Sequence, residues 1–389
     1  MKITHIHIER FRGFQNEDFE VGSLLTAIAG QNGTQKSTLL GIITQTFTLK
    51  TEDSMRVEKP LCGGSYISAF KDKFRLSPTF DKPKGHEWTI SFDAGMDDFT
   101  VESIKRTGDP NVRFWKKGAR QEGDGYISFP TIFLSLKRLV PVAEEAKIIT
   151  DDTLLTQEEL NEFKQLHNKI LIAQTPISSA TTITSKNKQS IGVSTELYDW
   201  NQNSMGQDNL GKIILALFSF KRLHDKYPRQ YKGGILAIDE MDATMYPASQ
   251  VELLKVLRKY ASKLNLQILF TTHSMSLLKA MDDLVQEVTK KEETANQAKI
   301  LYLKKVDDKI AIKQGVNFKG IQLDLNVVAE GNNRKKNRIT AYTEDKENIL
   351  FVKAILKSKA FVLDFVDVTL PCSTLMELVT KRVPAFIYP

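Results

Sequence analysis

Few cysteines and no clustered histidines are present in this sequence. Its 389 residues contain two cysteines, Cys62 and Cys372, which is too few for a disulfide framework and favours a reducing compartment. The six histidines are scattered along the chain and lack the close spacing with cysteine that zinc sites show. We therefore expect neither a disulfide-stabilised fold nor a metal centre built from histidine and cysteine.

Long apolar segments are also missing. The longest clearly apolar run extends from Ile213 to Phe220, far short of the ~20 residues that a membrane-spanning helix needs. The opening residues, MKITHIHIERF, contain no apolar stretch like the core of a signal peptide. No heptad pattern continues long enough for an extended coiled coil. These absences predict a cytoplasmic protein without membrane spans or long coiled-coil arms.

What is present is the composition of a soluble globular chain. Hydrophobic residues make up 41% and charged residues 26%, and at ~150 residues per domain the length predicts two or three domains. The formal net charge is +7, which permits contact with nucleic acid without requiring it. The sharpest basic cluster, residues 333–338, has two interpretations that stay open, a solvated loop and a phosphate-contacting patch.

Predicted strands and helices alternate along the chain, which favours a mostly parallel sheet in an α/β domain. The short apolar runs LLTAIAG, TIFLSL, GGILAIDE and LQILFTTHS are typical of buried strands. The Ser/Thr-rich residues 176–190 are predicted to form a loop or a poorly ordered segment, and Asp307-Asp308 to form the turn of a hairpin. A domain boundary is expected between residues 325 and 338.

The stretch GQNGTQKST follows a predicted strand, precedes a predicted helix and is close to the phosphate-binding pattern G-x-x-x-x-G-K-[ST]. Glycines let backbone N–H groups approach phosphate oxygens, and the helix N-terminus adds a favourable field. Lys36 would reach the β- and γ-phosphates, and Ser37 would offer its hydroxyl to Mg²⁺. A glycine-rich turn without a ligand is the alternative. The predicted ATP-binding residues are Gly30, Gln31, Asn32, Gly33, Thr34, Gln35, Lys36, Ser37 and Thr38.

Gln35 departs from this pattern, which asks for glycine just before the lysine. Glycine is demanded only where φ is positive or the backbone approaches a neighbour closely, and at a helix start we expect Gln35 to adopt helical dihedrals. Its side chain would then crowd the phosphates or hydrogen-bond them. This combination predicts nucleotide binding with slow hydrolysis.

The stretch GILAIDE is a predicted strand that ends in two carboxylates. Asp239 would hold Mg²⁺, usually through water. Glu240 would polarise the attacking water as the general base. An acidic pair that merely starts a turn is the alternative.

Two further stretches join the phosphate loop and the acidic pair as candidate site motifs. Ser204, Gly206 and Gln207 in NSMGQDNLGK match the S-x-G-Q part of the signature motif of ABC-type ATPases, although an ordinary helix N-cap has the same appearance. His273 in TTHS follows the next predicted strand after Asp239, where the switch histidine of these ATPases lies. The order of loop, signature, acidic pair and histidine resembles that of an ABC-type ATPase.

The chain resembles the SMC-like and OLD-like ABC ATPases, a group that includes RecF and chromosome-repair ATPases. The segment IDEMDATMYPASQVELLKVLRKYASKLNLQILFTTHS is similar to that group's characteristic block, with Asp242 at the D-loop position, which meets the opposite subunit, and Tyr246 in place of a histidine. A narrower resemblance is to the PtuA ATPases of Septu-type anti-phage defence, including versions attached to retrons. It rests on AGQNGTQKSTLLG, FKDKFRLSP and FLSLKRLVP and covers residues 1–315.

This resemblance implies a fold, cofactors and partners. It implies an ABC-type P-loop ATPase head over residues 1–325, with a helical insertion that carries the signature at about 140–225, and the use of ATP and Mg²⁺. It implies a homodimer or higher homo-oligomer in which the signature acts on the other subunit's nucleotide. It also implies a separate HNH nuclease of the PtuB type and, in retron versions, a reverse transcriptase with its RNA–DNA product.

Residues 338–389 resemble the beginning of a Toprim-like domain, in which an early glutamate precedes a D-x-D on a strand. Glu344 or Glu347 fits the glutamate, but no D-x-D follows before the sequence ends at RVPAFIYP. Either the natural protein is longer or this partial region has no metal site of its own, and an acidic surface loop is a further interpretation. The alternatives for the whole chain are a RecF-like DNA repair ATPase and an OLD-type nuclease without its catalytic half.

Overall fold

The computed structural model describes the chain except for residues 67–72, 78, 94, 106–111, 119–123, 141–146, 152–153, 174, 186–188, 331–338 and 381–389. The chain divides into two compact units, residues 1–321 and 322–389. The basic cluster at 333–338 and the stretch RVPAFIYP lie outside the described residues. Within the part that is described, no helix is both long enough and apolar enough to cross a membrane.

Strands and α-helices are interleaved along the chain. The strands are β1 (Ile3–Phe11), β2 (Phe14–Glu20), β3 (Leu25–Gly30), β4 (Phe47–Thr48), β5 (Glu87–Phe92), β6 (Phe99–Lys105), β7 (Val112–Lys116), β8 (Ile127–Ser128), β9 (Thr131–Leu134), β10 (Ile149–Asp151), β11 (Ser179–Thr184), β12 (Gln189–Ser194), β13 (Gly234–Ile238), β14 (Leu266–Thr272), β15 (Ala298–Val306), β16 (Lys309–Gln314), β17 (Ile339–Thr343) and β18 (Leu363–Thr369). The α-helices are α1 (Lys36–Thr44), α2 (Gln157–Leu171), α3 (Met205–Lys226), α4 (Pro247–Lys263), α5 (Met275–Thr289), α6 (Phe318–Glu330), α7 (Lys346–Leu356) and α8 (Cys372–Thr380).

The centre of the first unit is a six-stranded sheet in the order β16-β15-β3-β14-β13-β9. All pairings in it are parallel except that of β15 with β16. Every residue of β3, β13 and β14 is buried, as expected for parallel strands that are covered on both faces. The predicted mostly parallel sheet is thus confirmed, and the β15–β16 hairpin turns at Asp307-Asp308 as predicted.

A second, antiparallel sheet in the order β2-β1-β5-β6-β7 shares one hydrophobic core with the first. Its centre is aromatic: the ring centroids of Phe11 and Trp88 are 5.7 Å apart, and those of Trp88 and Phe114 are 5.1 Å apart. Helix α1 contributes Leu39 and Ile43 to the same core. The helix that opens with the predicted phosphate loop is therefore anchored by both sheets.

Between β9 and α3 the chain inserts helix α2 and the antiparallel sheet β10-β11-β12. The prediction of a loop or a poorly ordered segment is wrong for residues 179–184 and 189–190, because β11 and β12 pair along their whole length; residues 186–188 lie outside the described residues. Ile183, Ile191 and Val193 are buried, and the β-branched residues of this stretch favour strands. The insertion therefore combines helix and sheet ahead of α3.

The second unit contains β17, α7, β18 and α8, with β17 and β18 parallel. Asp345 begins helix α7, because its Oδ1 accepts a hydrogen bond from the Asn348 N–H at 2.7 Å. Glu344 and Glu347 flank this cap and are exposed. A parallel strand–helix–strand unit is what a Toprim-like beginning requires, and that resemblance stays a prediction.

Candidate functional site

The carboxyl ends of three parallel strands gather the predicted nucleotide-binding residues. Strand β3 leads into the phosphate loop, β13 ends just before Asp239, and β14 ends just before His273. Because β14 lies between β3 and β13, these ends are neighbours at one edge of the sheet. Ser37 and Asp239, which are 202 positions apart in the sequence, are thereby brought into direct contact.

The two glycines of the loop have different roles. A Cβ on Gly30 would lie 2.5 Å from the carbonyl oxygen of Leu303 and 2.8 Å from Oγ1 of Thr34, so this position requires glycine for a close backbone approach. Gly33 has a φ of 81°, which favours glycine because residues with a side chain rarely adopt it. The turn is closed by the Thr34 hydroxyl, which donates to the Gln31 carbonyl oxygen at 2.8 Å.

The expectation that Gln35 adopts helical dihedrals is wrong. Its backbone is left-handed, with a φ of 62° and a ψ of 32°, and it reproduces the conformation that a glycine would adopt there. The side chain is engaged with the turn between β1 and β2, where Oε1 accepts a hydrogen bond from the Gly13 N–H at 3.4 Å. Gln35 therefore makes no side-chain cap on α1, and the N–H groups of the first helical turn have no intrahelical acceptor.

Lys36 is buried inside the curve of the loop, with 7% of its surface exposed. Its Nζ donates to the carbonyl oxygens of Gly30 at 3.1 Å and Gln31 at 2.9 Å. Burial lowers the pKa of the ammonium group, and the carboxylates of Glu240, Asp239 and Asp242 oppose this shift. A cation, an uncapped helix N-terminus and a glycine-shaped loop together fit the phosphates of a nucleotide.

Ser37, Asp239 and Thr271 form a chain of hydrogen bonds beside the loop. The Ser37 hydroxyl donates to Oδ1 of Asp239 at 2.8 Å, and the Thr271 hydroxyl donates to the same oxygen at 2.7 Å. Asp239 is buried, whereas Ser37 is exposed. A hydroxyl and a carboxylate in contact are oxygen ligands of the kind that Mg²⁺ prefers. These residues fit a Mg²⁺ ion, which would neutralise charge on the nucleotide's phosphates.

Glu240 has a left-handed backbone, with a φ of 50°. Its N–H donates to Oγ1 of Thr271 at 2.6 Å, and its carbonyl oxygen accepts from Nη2 of Arg138 at 2.8 Å. Both backbone groups are thus fixed by other elements, and the residue is half-buried. The role of general base stays a prediction for this residue.

Asp242 and His273 meet at the same edge. Oδ1 of Asp242 accepts a hydrogen bond from the backbone N–H of His273 at 3.3 Å. Desolvation of the imidazole and the nearby Lys36 ammonium lower the pKa of His273, against the opposing effect of the Asp242, Glu240 and Asp239 carboxylates. A neutral imidazole has one donor and one acceptor nitrogen, so His273 is able to hydrogen-bond a phosphate.

The signature residues begin helix α3. Ser204 is the N-cap and forms a capping box with Gln207, since each side chain bonds the other residue's backbone N–H. A Cβ on Gly206 would lie 2.5 Å from the carbonyl oxygen of Thr244, so glycine lets the helix approach the D-loop turn. Ser204 and Met205 are exposed. The structure therefore confirms the N-cap interpretation; of the predicted signature residues Ser204 is exposed and Gly206 is buried, and their role as a signature stays a prediction.

Two buried polar residues of the site were not predicted from the sequence. Thr271 carries the hydrogen bonds that connect Asp239 and Glu240, and Arg138 connects Glu240 with Asn209 of α3. Thr271 belongs to the TTHS motif and Arg138 to the stretch FLSLKRLVP, so both lie within motifs that were recognised. The available signal was a polar residue at or just after the end of an otherwise apolar strand.

Comparison of the sequence with known protein families identifies the family of this chain. The model of the AAA ATPase domain family matches residues 1–189 and 135–278, which together exceed half of the chain. The chain belongs to the AAA ATPase domain family. ATPases of this family use ATP, usually with Mg²⁺, and the phosphate loop and acidic strand of this ATPase are built accordingly.

Solved structures similar to the ATPase include head domains of SMC proteins. The SMC head domain from Thermotoga maritima has 14% identity and a TM-score of 0.44, covering 81% of this chain and 100% of that one. An Smc head domain with an extended coiled coil, bound to the C-terminal domain of ScpA derived from Pyrococcus furiosus, has 12% identity and a TM-score of 0.45, covering 84% and 99%. No curated protein matches the ATPase.

Proposed function

We propose that this ATPase is the regulatory subunit of an anti-phage defence complex of the Septu type, and that its ATP-dependent homodimer controls a partner HNH nuclease. The observation that carries the dimer is the position of the signature. Ser204 and Met205 are exposed at the start of α3, whereas the loop, Asp239 and His273 are assembled at the sheet edge. A second copy is the simplest partner that brings an exposed signature onto a bound nucleotide.

In this proposal each side chain of the site has one task. Lys36 leaves the loop carbonyl oxygens and turns to the phosphates of ATP, where the first-turn N–H groups of α1 also bind. Ser37 and Asp239 would hold Mg²⁺, which would stabilise charge on the phosphates. Glu240 accepts a proton from the attacking water. His273 hydrogen-bonds the terminal phosphate and loses that bond after hydrolysis.

The defence role and the nuclease partner are proposed from the sequence resemblance to PtuA. The residues that the site assembles, from Lys36 to His273, suit hydrolysis of a phosphoanhydride bond. Glu344 and Glu347, one of which a Toprim nuclease would use, are exposed at the start of a helix. We therefore assign cleavage of nucleic acid to a separate PtuB-like subunit, joined in retron versions by a reverse transcriptase and its RNA–DNA product.

The experiment is reconstitution with and without the nuclease. The purified ATPase is incubated with DNA or RNA, ATP and Mg²⁺ or Mn²⁺, first alone and then with an HNH nuclease encoded beside it. We expect ATP hydrolysis but no cleavage by the ATPase alone, and cleavage that depends on ATP once the nuclease is added. The Lys36→Ala variant serves as the control that should lose nucleotide dependence.

Other outcomes select other functions. Cleavage that survives removal of every partner, and is lost in Glu344→Gln or Glu347→Gln, would restore the nuclease interpretation. ATP hydrolysis stimulated by DNA without any partner would favour a RecF-like repair ATPase. In that case the affinity for DNA should fall steeply with salt, because contacts to phosphates release counterions.

A further inference from the structure

Arg138 is a charged side chain enclosed between the acidic strand end and the signature helix. It follows β9 within a short 3-10 helix, Leu136–Leu139, and only 2% of its surface is exposed. A buried guanidinium is costly unless its donors are satisfied. The acceptor of each donor therefore shows which elements this residue holds together.

The donors of Arg138 reach three different elements. Nε donates to Oδ1 of Asn209 in α3 at 2.7 Å, and Nη2 donates to the carbonyl oxygen of Glu240 at 2.8 Å. Nη1 donates to the carbonyl oxygens of Leu134 at 3.3 Å and Ser135 at 3.2 Å. The side chain thus bridges the signature helix and the acidic strand end, with its own strand end as the support.

Asn209 extends the bridge on the helix side. It is fully buried, and it lies in α3 shortly after the signature residues Gly206 and Gln207. While its Oδ1 accepts from Arg138, its Nδ2 donates to the carbonyl oxygen of Ala243 at 3.0 Å, next to Asp242. A displacement of the first turns of α3 therefore reaches both the D-loop turn and Arg138.

Glu240 is the residue for which this connection matters most. Its left-handed backbone, with a φ of 50°, is a conformation that persists only when the surroundings hold it in place. Four hydrogen bonds hold this residue and the peptide after it. Its N–H donates to Oγ1 of Thr271, and its carbonyl oxygen accepts from Arg138 and from the Ala243 N–H at 3.1 Å. The Met241 N–H donates to the Thr271 carbonyl oxygen at 3.0 Å. The bond from Arg138 continues to α3 through Asn209, so its loss would weaken the connection between the signature helix and the backbone of Glu240 and allow the carboxylate to shift.

The charges around Arg138 support a role at the site. Burial lowers its pKa to about 10, against the opposing effect of the nearby carboxylates of Asp239, Glu240 and Asp242. Among the described residues, its hydrogen bonds all go to an amide oxygen or to backbone carbonyl oxygens. The guanidinium therefore balances the three acidic side chains without neutralising any one of them in an ion pair.

We infer that Arg138 is a positioning residue that couples the placement of the signature helix to the placement of Glu240. When α3 engages the nucleotide of a second subunit, Asn209 and Arg138 fix the backbone of Glu240 and align its carboxylate for turnover. Arg138 itself is enclosed behind the site and acts through the backbone of Glu240. This inference rests on the proposed ATP-dependent dimer and adds the internal connection by which the dimer permits hydrolysis.

The test compares kcat with KM. In Arg138→Lys, a single ammonium cannot make the bridge from Asn209 to Glu240, so we expect kcat to fall about 10- to 100-fold, as for other misplaced catalytic groups. Because the phosphate loop is untouched, KM and the affinity for a non-hydrolysable ATP analogue should change less than about threefold. The control is Arg222→Lys, which alters a partly exposed arginine of α3 that pairs with Glu159 and should leave kcat unchanged.

A second variant distinguishes a loss of the bridge from a folding defect of Arg138→Lys. Asn209→Ala removes the bridge from the helix side and should give the same separation of kcat from KM, and the double variant should be barely slower than Arg138→Lys alone. Thermal unfolding of each variant identifies any that do not fold. Three outcomes would overturn the inference. Both single variants could have the same kcat as Arg222→Lys, they could lose ATP binding and turnover equally, or their effects could be additive in the double variant. An inactive wild-type ATPase would instead overturn the proposed function, and this inference with it.

Discussion

A left-handed glutamine opens helix α1, where phosphate loops have glycine. The φ of 62° at Gln35 costs a residue with a side chain ~1 kcal/mol or more. Gly13, which faces Gln35 from the β1–β2 turn, accommodates the glutamine side chain. A Cβ at Gly13 would lie 2.8 Å from Nε2 of Gln35, so glycine leaves room for the amide. In this protein the glycine is therefore in the β1–β2 turn, at Gly13, and the phosphate loop has the side chain of Gln35 where other phosphate loops have glycine.

Replacement of Gln35 tests this compensation. We expect Gln35→Gly to keep its nucleotide affinity within about fivefold, a change of under ~1 kcal/mol. Relief of the left-handed conformation should be offset by the greater freedom of glycine in the unfolded chain. Gln35→Val should lose ~1–3 kcal/mol of unfolding free energy, because a β-branched residue does not adopt this conformation readily. Denaturant unfolding and nucleotide titration measure both effects; a glycine variant as damaged as the valine variant would contradict the compensation.

Substitutions of Lys36 and Glu240 should have different effects on ATP binding and on ATP turnover. Lys36→Ala deletes the cation inside the loop and should weaken ATP binding. Glu240→Gln should bind ATP normally and hydrolyse it ~100- to 10,000-fold more slowly, because Thr271 and Arg138 hold its backbone and not its carboxylate. A suitable control is Glu252→Gln, which changes an ion pair with the exposed Lys255 on α4. Similar losses of ATP affinity in the Lys36 and Glu240 variants, seen by calorimetry, would refute these roles.

At the scale of elements, predictions succeeded where the determining residues were close in sequence. The apolar runs of β3, β13 and β14 and the hairpin at Asp307-Asp308 follow from local composition, and so does the strand–loop–helix context of the phosphate loop. The β11–β12 hairpin was missed because Ser and Thr, which often mark loops, here accompany buried Ile residues. Arg138 was missed because its acceptors on Asn209 and Glu240 lie 71 and 102 positions away.

The turn between β1 and β2 is held against α1 by a polar cluster around the buried Asp81. Arg12 donates two hydrogen bonds to Asp81, each at 3.0 Å, and a third to the Thr38 hydroxyl at 3.3 Å. His86 contacts the same carboxylate at 3.1 Å. This cluster connects β1, the start of β5 and the first turn of α1. The phosphate loop is therefore supported by an ionised Asp81.

A fall in pH should weaken the stabilisation that the ionised Asp81 provides. Burial alone would raise the pKa of Asp81, but hydrogen bonds from Arg12, from the Ser77 N–H and from His86 outweigh it and lower the pKa from 3.8 to about 2. Because the folded-state pKa is lowered, the contribution is complete above the unfolded value and is lost as the pH falls through about 2. It amounts to ~2 kcal/mol.

The measurement is denaturant unfolding of the wild type and Asp81→Asn between about pH 7 and pH 2. The wild type should be more stable at neutral pH, and the difference between the two proteins should shrink below about pH 4. Asp18→Asn, which alters an exposed carboxylate on β2, is the matched control. A difference between wild type and Asp81→Asn that stays constant down to about pH 2 would contradict the role of the ionised carboxylate.

For the whole molecule, the proposed homodimer would place the predicted signature of one chain against the site of a second. Lys36, Asp239, Glu240 and His273 meet at the sheet edge. Ser204 of the predicted signature is exposed, and Gly206 lets the start of α3 lie against the turn at Thr244. Asp242 of that turn accepts a hydrogen bond from the backbone of His273. The surface formed by the predicted signature and D-loop residues is therefore connected to the residues that we propose as catalytic. In the proposed dimer, contact of one subunit with the signature and D-loop surface of the other would affect both nucleotide sites.

Ser204→Arg tests the dimer directly. Sedimentation with ATP and Mg²⁺ should show an ATP-dependent dimer for Glu240→Gln, which retains its nucleotide, and a monomer once Ser204→Arg is added, because the arginine fills the space that a phosphate would occupy. Ser204 also caps α3, and losing a cap costs ~1 kcal/mol, so Ser204→Asn is the control that retains the cap. If the asparagine variant dimerises and the arginine variant does not, the defect lies in the contact between subunits. If the arginine variant forms the same nucleotide-dependent dimer, the signature does not close over ATP, and the exposed start of α3 is then only a capped helix.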